Sequence, residues 1–140
     1  MRRFIERSVL AASGGMLVFI GGSILFQPRD FFATNCVEIV SDPSLLSELK
    51  APAGLLVVAG LVMLVGSSKS RFAGTGLGLG ALIYGSYGAS RVISMIIDGW
   101  PSQSLMVATV IELALAALLF LYRRNRGQSG SPVAEPIVFS

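Results

Sequence analysis

Residues 72–122, FAGTGLGLGALIYGSYGASRVISMIIDGWPSQSLMVATVIELALAALLFLY, hold two apolar stretches, 72–97 and 105–122, joined by a short loop. Each stretch carries one charged side chain, Arg91 in the first and Glu112 in the second. Arg91 lies six residues before the end of its stretch and Glu112 seven after the start of its own. At about 1.5 Å per residue, both sit roughly 10 Å from the same end. A charge costs about 2.5 to 3.5 kcal/mol near the centre of a membrane helix on insertion scales. Opposite charges at matched depth on antiparallel neighbours therefore predict an ion pair within the bilayer.

The rest of the chain fits a membrane bundle. Hydrophobic residues make up 53% of its 140 positions and charged residues 14%. The mean hydropathy is +0.72. Ordinary soluble domains carry about 25% charge, so a soluble fold is not expected. Two more apolar segments, 8–26 and 45–66, bring the expected number of helices to four, each long enough or nearly so to cross about 30 Å of hydrocarbon. The first follows a basic start, Arg2, Arg3 and Arg7, as a secretory signal does. It is longer than a signal's apolar region and no Ala-x-Ala site follows, so it is read as a retained anchor. Asp42 followed by Pro43 is a helix start, a side-chain cap and then a proline at the first helical position, so the second helix extends back from its apolar part and bends at Pro52.

Orientation follows from the basic residues, which are retained in the cytoplasm. Arg2, Arg3, Arg7, Lys69, Arg71, Arg123, Arg124 and Arg126 fall on one side, and only Arg29 and Lys50 on the other. Both termini are therefore expected in the cytoplasm, with 1–126 as the transmembrane domain and 127–140 as a cytoplasmic tail. Trp100 and Tyr122 mark the two interfaces. Despite a net charge of +3, the Lys and Arg residues flank apolar segments instead of forming a stripe, so nucleic acid is not an expected partner.

Small residues set the packing. The third helix carries Gly76, Gly80, Gly85 and Gly88, and its four-residue spacings, Gly76 to Gly80 and Ala81 to Gly85 to Ala89, clear one helix face for close approach. That face serves either the bundle itself or a homo-oligomer. The same helix bears Tyr84, Tyr87, Arg91, Ser94 and Asp98 at spacings of 3, 4, 3 and 4, a single polar face. With Glu112 and Glu48 they form the expected buried polar cluster. Three roles stay open for Arg91 and Glu112: a structural ion pair, a substrate or proton site, and a contact with another subunit.

The run Ser90-Arg91-Val92-Ile93-Ser94-Met95-Ile96-Ile97-Asp98-Gly99, the later helix bearing Glu112, and the earlier Glu48-Leu49-Lys50-Ala51-Pro52-Ala53-Gly54 resemble a group of small bacterial four-helix membrane proteins. That group is known only as a domain of unknown function, number forty-three forty-five, similar in architecture to DoxX-like proteins. The resemblance covers about residues 5–122. It implies a fold, a bacterial inner membrane and a set of polar positions, and supplies no activity.

With no His in the chain, His-ligated haem, His-based zinc or copper sites, and Ser-His or Cys-His catalysis are excluded within it. Cys36 is single, so no internal disulfide or CxxC pair exists. Gly74-Thr75-Gly76-Leu77-Gly78 lacks the Gly-Lys-Ser/Thr ending of a phosphate loop. No cofactor and no enzymatic activity are expected. The leading expectation is an accessory or interaction subunit of a membrane assembly, contacting lipid and other subunits or a second copy of itself. The Gly127-Gln128-Ser129-Gly130-Ser131-Pro132 linker and the apolar Pro136-Ile137-Val138-Phe139 favour it. The alternative is a small oligomeric transporter or channel using Arg91 and Glu112.

Overall fold

The computed structural model describes residues 1–128, and the apolar segment 136–139 with most of its linker lies outside them. The described residues form helices α1 (Arg2–Phe26), α2 (Pro28–Ala33), α3 (Pro43–Ser68), α4 (Ser70–Asp98) and α5 (Gln103–Gln128), with no strand among them. Local chemistry sets several of these boundaries. Asp42 Oδ1 accepts a hydrogen bond from the Leu45 N–H at 2.9 Å, and Pro43 opens α3 without a donor to leave unmet. Lys69 alone separates α3 from α4, in an extended conformation. Gly99 ends α4 at φ +96, where a side chain would be strained.

The long helices pack in the order α1, α3, α4, α5, and α1 touches α5 only lightly. One end of the bundle carries the start of α1, the α3–α4 turn and the end of α5. The other carries α2 and the two longer connections. Near the first end Leu10, Met63, Leu77 and Leu119, one from each long helix, are fully buried and make a closed apolar layer. Outward, Phe19, Leu55, Leu82, Ile96, Val110 and Phe120 are uncovered by protein. Large apolar side chains outside and small ones between helices are the pattern of a protein surrounded by lipid.

Among the described residues, three helices are long and apolar enough to cross a membrane: α1 and α3, each with mean hydropathy 2.0 over the best window, and α5 with 2.4. Where four spans are expected from the sequence, α4 does not meet that standard. It is long enough, at 29 residues, but its glycines, serines, tyrosines and Arg91 lower its hydropathy. The six-residue α2 falls in what the sequence presents as a loop. A proline at its first position and Asp30 in its first turn start it, but six residues are too few to show a period.

Candidate functional site

Toward the end opposite the closed layer the helices enclose a cavity of about 390 Å³. Its walls come from every element: Leu17 and Ile20 of α1, Leu56 of α3, Tyr87 of α4 and Ala108 of α5, with Phe31 and Phe32 of α2 at the cap. Asn35, in the turn after α2, also lines it, and the Asn35 carbonyl accepts from Ser102 Oγ at 3.2 Å, which ties the cap to the α4–α5 connection. Pro52 lines the cavity too. Because proline has no N–H, the Glu48 carbonyl one turn earlier lacks its usual helical donor.

Arg91 and Glu112 meet at the edge of this space. Arg91 Nε lies 3.0 Å from Glu112 Oε2 and 3.3 Å from Oε1. The side chains are 32% and 13% exposed respectively, so the pair is neither sealed nor at the surface. Pairing through Nε is side-on, and neither Nη group of Arg91 donates to another described residue. The two Nη groups, four N–H donors in all, thus have no partner among the described residues, and Arg91 is one of the residues lining the largely apolar cavity. Behind Arg91 a recess of about 90 Å³ lies among Ser94, Pro101 and Thr109.

The other expected cluster members divide. Tyr84 is buried and lines the cavity, and its hydroxyl donates to the Ser13 carbonyl at 2.8 Å, linking α4 to α1. Tyr87, half-buried, lines the cavity beside Arg91. Ser94 Oγ donates to Asp98 Oδ2 at 2.8 Å, one turn apart on an exposed stretch. Glu48 is exposed as well. The expectation of one buried cluster is thus corrected for Ser94, Asp98 and Glu48: the first two satisfy each other beyond the packed part of α4, and Glu48 lies outside the walls formed by its neighbours Leu49 and Pro52.

Of the four glycines marked for packing, Gly76 faces Leu10 and the Met63 backbone, Gly80 faces Met63 and Leu119, and Gly88 faces Leu113. Gly85 has only an ordinary contact with Ala116. The closest backbone approaches instead join α1 to α3, through Gly14, Gly21 and Gly60.

A second ion pair joins Glu6 of α1 to Arg126 of α5 at the other end of the bundle. Glu6 is only 5% exposed, and Arg126 Nη2 also donates to the Ser70 carbonyl at 3.2 Å. These two residues are 120 positions apart in the sequence. Among the described residues, no three His, Cys, Asp or Glu side chains come together as a metal site would require.

The chain matches the family described as Domain of unknown function (DUF4345) over residues 5–123 and belongs to it. No curated protein and no solved structure matches it. The matched region includes the whole cavity lining and both members of the Arg91–Glu112 pair.

Proposed function

We propose that this chain is a four-helix protein of a bacterial inner membrane, with both termini cytoplasmic, that binds a small, mainly apolar molecule and does no chemistry on it. In this reading it acts as an accessory subunit of a larger membrane assembly. The observation that carries the proposal is the cavity of about 390 Å³, apolar on most sides, with Arg91 and Glu112 at its edge. Ligand sites are commonly cavities of about 300 to 1,000 Å³ with apolar walls and a few convergent polar groups. A ligand with one hydrogen-bond acceptor, such as a carbonyl oxygen, would lay its apolar body against Leu17, Ile20 and Leu56 and its polar end on the free Nη groups.

In this reading α4 crosses the membrane with the other three helices, and the lipid-facing side of α5 is the surface open to a partner. The eight basic residues at the closed end support cytoplasmic termini. A transporter reading draws support from Glu112, a carboxylate at a cavity wall within a helix. The layer of Leu10, Met63, Leu77 and Leu119 weighs against it, since it separates the cavity from the opposite end.

Purification in mild detergent, followed by organic extraction and mass spectrometry, tests the binding role. A stoichiometric apolar compound should accompany the wild type and Leu61→Trp, which changes an uncovered surface, but be lost from Ala108→Trp, which fills the cavity. Its retention by folded Ala108→Trp, or no compound from any variant, would reject the proposal. A protein that co-elutes would identify the assembly.

A further inference from the structure

We infer that the arginine cluster at the closed end of the bundle binds the phosphate of an anionic phospholipid headgroup. This site is separate from the cavity and does not depend on which side of the membrane it faces. Arg3, Glu6 and Arg7 of α1, Ser70 and Arg71 of α4, and Arg126 of α5 surround an open recess of about 310 Å³. The recess therefore draws on three helices, and its charge is unbalanced. Glu6 is its only carboxylate and is already engaged by Arg126. Arg3, Arg7 and Arg71 have no carboxylate within ion-pair distance among the described residues.

Arg126 acts as the frame. One Nη group pairs with buried Glu6 and the other reaches the Ser70 carbonyl, which fixes the end of α5 against the starts of α1 and α4. The Arg71 guanidinium lies over the Phe72 ring, 4.3 Å from its centre. The first turns of α1 and α4 contain no acidic residue, and their unpaired N–H groups add positive potential. Guanidinium groups match phosphate oxygens in pairs, so a phosphodiester has donors from several directions.

The neighbourhood selects a lipid over a free anion. Phe4 and Ile5 lie between Arg3 and Arg7 in the first turns of α1 and are uncovered by protein, at 76% and 44% exposure, so apolar surface flanks the recess at its own level. The apolar parts of α1, α4 and α5 begin inward of these arginines, so a lipid whose phosphate sits among Arg3, Arg7 and Arg71 would lay its acyl chains along the helices beyond Arg7. All three helices become apolar within about two turns of the recess, which places it at headgroup depth.

The test uses the full-length protein in detergent, titrated with phosphatidylglycerol or phosphatidylcholine and read by native mass spectrometry. Each basic residue near such a surface contributes about a fivefold preference, so the three unpaired arginines should together give roughly a hundredfold preference for phosphatidylglycerol. Arg7→Gln with Arg71→Gln should reduce it to about fivefold, while Arg29→Gln, at the opposite end, should leave it unchanged. If the double variant does not fold, Arg3→Gln and Arg71→Gln singly should each lower the preference about fivefold. Equal retention of the two lipids by the wild type would overturn the inference, as would a preference that survives loss of the arginines. Inorganic phosphate displacing phosphatidylglycerol at equal concentration would show a free-anion site and overturn the lipid assignment.

Discussion

Gly14 and Gly60 meet backbone to backbone: a Cβ built on Gly60 would lie 2.6 Å from the Gly14 carbonyl oxygen, and one built on Gly14 would lie 2.9 Å from the Gly60 carbonyl oxygen. Gly21 makes the same kind of approach one level further along, with a built Cβ 2.7 Å from the Ala53 carbonyl oxygen. The α1–α3 pair is thus the tightest seam of the bundle. In lipid, where apolar surface alone does not drive helices together, close backbone packing supplies much of the association energy. The cavity lies alongside this seam, lined by Leu17, Ile20 and Leu56 from the turns between its close contacts.

Gly60→Ala should therefore destabilise the bundle by about 1 to 3 kcal/mol, because the clash is with backbone that cannot rotate away. Gly54→Ala, on the same helix with nothing near its built Cβ, should be neutral or mildly stabilising. Thermal unfolding in one detergent compares them. Equal effects would mean that α1 and α3 do not approach at Gly60.

The helices and the Arg91–Glu112 meeting were legible for related reasons. Hydropathy reports which segments leave water, and helical rise converts sequence distance into depth, so two charges on adjacent antiparallel helices can be matched by counting. The 3-4 spacing put Tyr84, Tyr87 and Arg91 on one face, but spacing does not say where the neighbouring helix stops. Ser94 and Asp98 share the face and lie beyond the cover. Glu6 and Arg126 were hidden because every arginine near a helix end reads alike as a topology signal. Only the third dimension shows that one of them reaches a buried carboxylate. The cavity had no sequence mark at all, since it is space left by helices that separate.

Cys36 is exposed, in the turn after α2 at the cavity end. With cytoplasmic termini it should react with a membrane-impermeant maleimide in intact cells or spheroplasts. Ser70→Cys, in a Cys36→Ser background, should react only after lysis. The reverse pattern would invert the proposed orientation.

Arg126→Met should cost more stability than Arg124→Met, because Arg124 is exposed whereas Arg126 leaves Glu6 buried and unpaired. Losing one partner of a fully buried pair costs about 3 to 5 kcal/mol, and a penalty toward the lower end is expected here because the Arg126 side chain is 36% exposed. Glu6→Gln in the Arg126→Met background should recover part of it, since a neutral amide is less costly to bury than a charge. Equal losses for Arg124→Met and Arg126→Met would show that the pair does not hold the ends of α1 and α5 together.

The Arg91–Glu112 pair calls for a double-mutant cycle, since the cost of losing one partner includes the charge left behind. Removing one member of a fully buried pair costs about 3 to 5 kcal/mol. Here the Arg91 side chain is 32% exposed and Glu112 13%, so Arg91→Met and Glu112→Leu should each fall below that range. Glu112→Leu should be the milder change, because the arginine stem is long enough to carry its charge toward the interface. Arg91→Met should be the harsher, leaving a short carboxylate without its partner. The double variant should be more stable than the sum of the two losses implies, by about 1 kcal/mol or more. Ligand retention then separates structure from function. If the free Nη groups of Arg91 hold the polar end of a bound molecule, the double variant should regain stability without regaining the extracted compound. Recovery of both would confine the pair to a structural role and leave the apolar walls as the whole site, whereas additive losses would mean that Arg91 and Glu112 do not interact.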